Sequence, residues 1–173
     1  MIYFTSDFHL GYPKVIKHRK RPFTSVEEMN ETLIANYNSM VTDKDTVYLL
    51  GDMTQYVEPE AANVMLARLN GKKILLVGNH DKVNKYDARI FKEICDYKFL
   101  VHKRALMALM HYPMLAWNRY QRGSYMLHGH IHSTGEYNES NRAEGIRRYD
   151  VGVDANNFYP VSLDKILKFF EAK

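Results

Sequence analysis

The sequence predicts an α/β fold leaning towards α+β, and three observations carry that prediction. Short apolar, β-branched or aromatic runs recur along the chain at Ile2–Thr5, Thr46–Leu50, Lys73–Val77, Tyr97–Val101, Leu106–Met110, Tyr125–Leu127 and Arg147–Val151. Helical patterns separate the earliest of them, and a helical crossover between strands implies parallel pairing. The later runs stand close together, with His102-Lys103 placed as a hairpin turn, so that half is expected to be antiparallel or mixed.

Each element has its own signal. Ile2–Thr5 follows Met1 with no basic lead or cleavage site, so no signal peptide is expected. Ser25-Val26-Glu27-Glu28 reads as a capping box, in which Ser25 caps the helix and Glu28 reaches back. The stripe Met29, Leu33, Ile34, Tyr37, Met40 continues it at helical spacing. Val47-Tyr48-Leu49-Leu50 and Ile74-Leu75-Leu76-Val77 are near-continuous apolar runs, as suits strands covered on both faces. Between them Pro59 opens a helix, Val64, Met65 and Leu69 supply its apolar face and Gly71 ends it. Asp87 to Cys95 reads as a third helix with Ile90, Phe91 and Ile94 inward. Ser162 to Ala172 reads as a fourth, burying Leu163, Ile166, Leu167 and Phe170.

With 173 residues and no linker-like stretch, a single domain spanning 1–173 is expected, since domains hold about 100–150 residues. The 46% hydrophobic and 25% charged content excludes disordered, collagen-like and coiled-coil classes. The lone Cys95 excludes an internal disulfide framework, and a cytoplasmic location is expected. No apolar run approaches the ~20 residues of a membrane span. The net charge of +4 is too mild to demand a nucleic-acid partner.

The polar residues are more specific. Five apolar runs each end in metal-ligand residue types: Asp7-Phe8-His9, Gly51-Asp52, Gly78-Asn79-His80-Asp81, His111, and His128-Gly129-His130-Ile131-His132. In open α/β sheets ligands bind beyond the carboxyl ends of the strands, so folding would gather these clusters in one cleft. Asp, His and Asn without thiolate form an oxygen and nitrogen site suited to Mn²⁺, Fe, Co²⁺, Ni²⁺ or Zn²⁺. On an extended segment Asp7 and His9, or His130 and His132, would point the same way, with Phe8 and Ile131 turned to the core. Gly51, Gly78 and Gly129 allow close backbone approach or positive φ. There are more candidates than one ion needs, which points to two ions, with Asp52 as the natural bridge because a carboxylate has two oxygens.

Asp7-x-His9, Gly51-Asp52, Gly78-Asn79-His80-Asp81, His111 and Gly129-His130-x-His132, in this order, resemble the signature of the calcineurin-like metallophosphoesterases. Asp150-Val151-Gly152-Val153-Asp154 followed by Pro160-Val161-Ser162 is similar to the tail of small stand-alone bacterial and phage members. The resemblance implies two mixed β-sheets packed as a sandwich and flanked by helices. It implies one metal site of Asp7, His9, Asp52 and His132 and a second of Asp52, Asn79, His111 and His130. It implies hydrolysis of phosphate esters by attack of a metal-bound hydroxide, with His80 assisting the leaving group. Two divalent ions, Mn²⁺ foremost, are the expected cofactors, and a phosphoester, a nucleotide among the options, the expected substrate. Phosphodiesters are preferred because no cap domain is evident; phosphomonoesterase, nuclease and silent binding scaffold are the alternatives of the same fold.

One position departs from the family pattern. Gln55 stands three residues after Asp52, where an acidic residue or Arg usually supports the catalytic histidine, so Asp81 is a candidate to orient His80 instead. Elsewhere the plainer readings prevail. Lys14, Lys17, His18, Arg19, Lys20 and Arg21 read as a solvated face, because the run lacks interleaved aromatics for base stacking. His18 and His102 read as surface residues, and His128 as a core or supporting one. Arg119 and Arg122, in the segment after His111, are candidate substrate-phosphate contacts, with Tyr112 or Trp117 as stacking partners.

Overall fold

A computed structural model describes residues 1–171. Its strands are β1 (Ile2–Thr5), β2 (Thr46–Leu49), β3 (Lys72–Leu76), β4 (Glu93–Cys95), β5 (Tyr97–His102), β6 (Ala105–Met110), β7 (Tyr125–His128), β8 (Arg148–Asp150) and β9 (Val161–Ser162). Its helices are α1 (Lys14–His18), α2 (Val26–Met40), α3 (Pro59–Ala67), α4 (Gly135–Ala143) and α5 (Leu163–Glu171). They form two sheets, ordered β4-β3-β2-β1-β9 and β5-β6-β7-β8.

The pairing follows from the connections. β1 to β4 are parallel, joined by crossovers, and β9 closes the edge antiparallel to β1. β5 and β6 form the predicted hairpin, whereas β6, β7 and β8 are parallel, so the second sheet is mixed. Phe4, Leu50, Ile74 and Leu76 of the first sheet meet Met107, Leu109, Leu127 and Val151 of the second in a shared apolar layer. The opposite face of the first sheet, with Tyr3, Val47, Leu49 and Leu75, buries Met29, Leu33, Ile34 and Tyr37 of α2 and Leu66 of α3. β1, β2 and β3 are thus covered on both faces, which is why their sequences do not alternate.

α2 starts as its capping box dictates: the Ser25 hydroxyl accepts from the Glu28 amide, and the Glu28 carboxylate takes the Thr24 amide. α3 differs in its buried face, which is Ala62 and Leu66; Val64 is exposed, and the helix ends at Ala67, ahead of Leu69 and Gly71. The predicted end of α5 at Ala172 lies outside the described residues.

The expected helix from Asp87 to Cys95 is not there. Asp87 caps a single 3₁₀ turn, Ala88–Ile90, and Glu93–Cys95 becomes an edge strand. Ile94 packs on one side of the sheet and Cys95 on the other. Apolar positions four apart fit either element, and here the free edge of β3 decided. α4 carried no apolar stripe to betray it, because its buried residues are Asn138 and Asn141.

Candidate metal centre

The predicted clusters all follow the carboxyl ends of β1, β2, β3, β6 and β7, and the fold brings them to one end of the sandwich. Asp7, His9 and His132 form one group and Asp52, His111 and His130 another; within each, the candidate ligand atoms lie within 4.8 Å of one another. Asn79 joins the second group, its Oδ1 3.0 Å from His111 Nε2. Asp52 lies between the groups. Its Oδ2 is 3.4 Å from His111 Nε2 and 3.7 Å from His9 Nε2, while its Oδ1 accepts the His80 amide at 2.8 Å. A single oxygen therefore faces both groups, where two had been expected to divide the task.

The residues converge by a different backbone route from the one predicted. Asp7, His9, Asp52, His130 and His132 all sit in the left-handed region, with φ from 49° to 72°, so strand-like alternation does not align them. Such conformations cost on the order of 1–3 kcal/mol each and persist only where the surroundings enforce them. Here the enforcement is visible: the amides of Asp7, His9 and Leu10 bond the carbonyls of Gly51, Asp52 and Met53. Of the three glycines, Gly51 takes positive φ, at 88°, and Gly129 has no room for a Cβ, which would overlap Ser6 Oγ and Asp7 Oδ2. Phe8 is fully buried as expected, whereas Ile131 is only half-buried.

The hydrogen bonds set the protons. His132 Nδ1–H donates to Asp154 Oδ2 and His111 Nδ1–H to the Leu50 carbonyl, both at 2.7 Å. Both acceptors are acceptor-only, so in the neutral rings each Nε2 presents a lone pair. His132 Nε2 then lies 3.0 Å from His9 Nε2, and His111 Nε2 faces Asn79 Oδ1 and Asp52 Oδ2. His9 Nδ1 is buried without a partner among the described residues. Lone pairs and carboxylate oxygens thus converge on two points, where a divalent cation at each would satisfy them. Burial pushes the Asp7 carboxyl up to about 6, against the pull of His132 and His111. Burial holds His9 down at about 3 despite Asp52. Burial also opposes protonation of His111, but the bond that a protonated Nε2 makes to Asp52, with the Asp7 and Asp52 charges, outweighs it and raises its pKa. The donor set fits two ions of the oxygen- and nitrogen-preferring class.

Several supporting residues were missed or misassigned. Arg21, read as part of a solvated run, is buried, and its guanidinium bonds Asp154 and the carbonyls of Asp7 and Phe8. The other members of that run are exposed. Arg21 and His132 hold the Asp154 carboxyl well below the usual range despite its burial. Asp150 accepts from Ser133 and the Gly152 amide, fixing the loop after His132. Both aspartates lie in the tail motif, and that motif was the available signal. His128 is buried, donating to the Gly129 carbonyl and accepting from Tyr137.

Asp81 does not orient His80. Its two oxygens are taken by the amides of Asp52, Met53 and Gly78 and by the Tyr86 hydroxyl, which ties the β2 and β3 loops together. Among the described residues no side chain hydrogen-bonds the His80 ring; it stands edge-on to His9, with centroids 5.5 Å apart. Arg119 and Arg122 are not gathered with the centre either. The Arg119 carbonyl accepts from Ser124 at the start of β7, while the centre lies beyond the other end of that strand, and Trp117 packs on the outer face of the sheet. Tyr112 does reach the centre, its ring 4.6 Å from that of His130.

Comparison with known proteins agrees with this geometry. The family model described as calcineurin-like phosphoesterase matches residues 1–154. The uncharacterized protein MJ1445 of Methanocaldococcus jannaschii is 38% identical over 173 residues, covering 98% of this chain and 91% of that one. The gene 66 protein of Mycobacterium phage L5 is 25% identical, covering 88% of this chain and 86% of that one. Among solved structures, a protein of unknown function from Aquifex aeolicus, AQ665, superposes with a TM-score of 0.76 at 28% identity, covering 97% of this chain and 98% of that one.

Proposed function

The chain belongs to the calcineurin-like phosphoesterase family, and from that premise we propose that it hydrolyses phosphate esters, phosphodiesters in preference, with two divalent metal ions, Mn²⁺ foremost. The observation that carries the proposal is the Asp52 carboxylate, one oxygen of which faces both His9 and His111. Asp7, His9, Asp52 and His132 would hold one ion, and Asp52, Asn79, His111 and His130 the other. Ions so held would supply Lewis acidity and lower the pKa of bound water.

The chain's own residues do the rest. The hydrogen bond that the His80 amide donates to Asp52 Oδ1 fixes the loop, with the half-buried ring beside the first group. From there His80 would hand a proton to the departing alkoxide. Asn79 is exposed and His130 half-buried, whereas Asp7, His9 and His111 are buried. The centre therefore opens on one face, which leaves room for ester groups on both sides of a phosphorus. Kinetics on bis-p-nitrophenyl and p-nitrophenyl phosphate with added Mn²⁺ test the proposal. Higher kcat/KM on the diester is expected. Higher efficiency on the monoester reverses the preference, and no hydrolysis of either by metal-loaded protein leaves a binding scaffold.

A further inference from the structure

Beside His80 the surface carries a feature that the metal centre does not use. Tyr56 is 72% exposed, yet its backbone has φ of 54°, a conformation in which glycine is at ease and a bulky residue is not. Its ring lies 5.2 Å from that of Tyr12, which comes from the loop after β1. The two rings border an open depression of about 380 Å³, with Lys14 on its wall. Tyr56 also lines a narrow hollow of about 10 Å³ together with His80, Lys82 and Lys85. Lys14, Lys82 and Lys85 are exposed, and no carboxylate lines either hollow among the described residues.

We propose that Tyr56 and Tyr12 form a stacking platform for a nucleobase, flanked by Lys14, Lys82 and Lys85 for neighbouring phosphates, and that the substrate is single-stranded nucleic acid. Aromatic rings on a cationic track are how proteins hold single strands without sequence preference. Lys14 lines one of the hollows that Tyr56 borders, and Lys82 and Lys85 line the other, so cations are available for more than one phosphate. This rests on the phosphoesterase reading in one respect: Tyr56 and His80 line one narrow hollow, so a base held on the platform would lie near the proposed proton donor. The basic segment around α1 had seemed to lack aromatics because Tyr56, whose ring meets that of Tyr12 at a tilt, lies some forty residues away in sequence.

The test is binding of a fluorescent oligothymidylate of about ten nucleotides with a hydrolysis-resistant phosphorothioate backbone. An abasic strand of equal charge is the comparison. The wild-type protein is expected to bind the thymidylate about fivefold to a hundredfold more tightly, the range base stacking confers. Tyr56→Gly, which removes the ring and relaxes the backbone, should bring the thymidylate down to the abasic level, and Tyr56→Trp should keep the preference. Equal binding of the two strands, unchanged binding by Tyr56→Gly, a preference for duplex, or no binding of either strand would overturn the platform. Hydrolysis of bis-p-nitrophenyl phosphate by the same preparation is scored separately. Base-dependent binding without hydrolysis retains the platform and defeats the phosphoesterase reading; hydrolysis without base-dependent binding defeats the platform alone.

Discussion

The two ligand groups fix their histidines in different ways. In the first, His132 is oriented by the Asp154 carboxylate, which is itself gripped by the buried Arg21. That arrangement needs three side chains drawn from distant parts of the chain. In the second, His111 is oriented by the Leu50 carbonyl, one residue beyond β2. No substitution removes a main-chain carbonyl, so the second group is tied to the sheet itself. The first is a side-chain construction, dependent on a buried charge network. The second is also the more open, with Asn79 exposed and His130 half-buried. The third member of each group is half-buried, His132 in the first and His130 in the second.

Asp52→Asn tests what the two groups share and should have the largest effect. Both metal affinities are expected to fall by more than about a hundredfold, beyond the usual loss for a supporting residue, with activity abolished. Two retained ions in elemental analysis, together with the wild-type rate, would remove Asp52 from its place between the groups. His80→Ala should keep both ions and lower kcat by about 10²–10⁴-fold, the scale of general acid–base help; an unchanged kcat removes His80 from the chemistry. Asp154→Asn should separate the groups. Affinity at the first is expected to drop by about 10–100-fold while the second is unaffected, so titration calorimetry should resolve one weakened and one normal site. Equal weakening of both would erase the contrast.

The smallest effect belongs to the opposite end of the sheet, where Asp45 pairs with the amino terminus and the Thr42 amide and hydroxyl. Those bonds, the terminus first, lower its pKa to about 2. A carboxyl depressed on folding adds stability that is present above its unfolded pKa, about 3.9, and is lost as pH falls through about 2. The melting temperature of wild-type protein should therefore fall more steeply between these values than that of Asp45→Asn. Both metal affinities should be unchanged in this variant. Parallel pH profiles would deny Asp45 this role.

Most of the sheet was legible because its runs are strongly apolar and bounded by glycine, and α2 because its stripe is regular. The Asp87–Cys95 segment was not, since its spacing fits two elements and only the free edge of β3 distinguishes them. Nor was α4, whose inward residues are asparagines that bond the Asp150 main chain and the Arg148 side chain instead of filling a core.

The ligand candidates were legible for a different reason. Each follows its own strand, and parallel pairing carries the carboxyl ends of those strands to one side. Which atoms meet was not. The left-handed backbone at Asp7, His9 and Asp52, the commitment of Asp81 to three amides and a hydroxyl, and the burial of Arg21 each depend in part on partners tens of residues away. By itself, then, the sequence determined the donor types, their order and the end of the sheet at which they emerge, because these are local consequences of strand direction. The tertiary structure alone decided that one oxygen of Asp52 faces both groups, that Arg21 and Asp154 brace one of them, and that Tyr12 and Tyr56 meet. Contacts between segments so far apart leave no periodicity in the chain and exist only once the strands have paired and the sheets have packed.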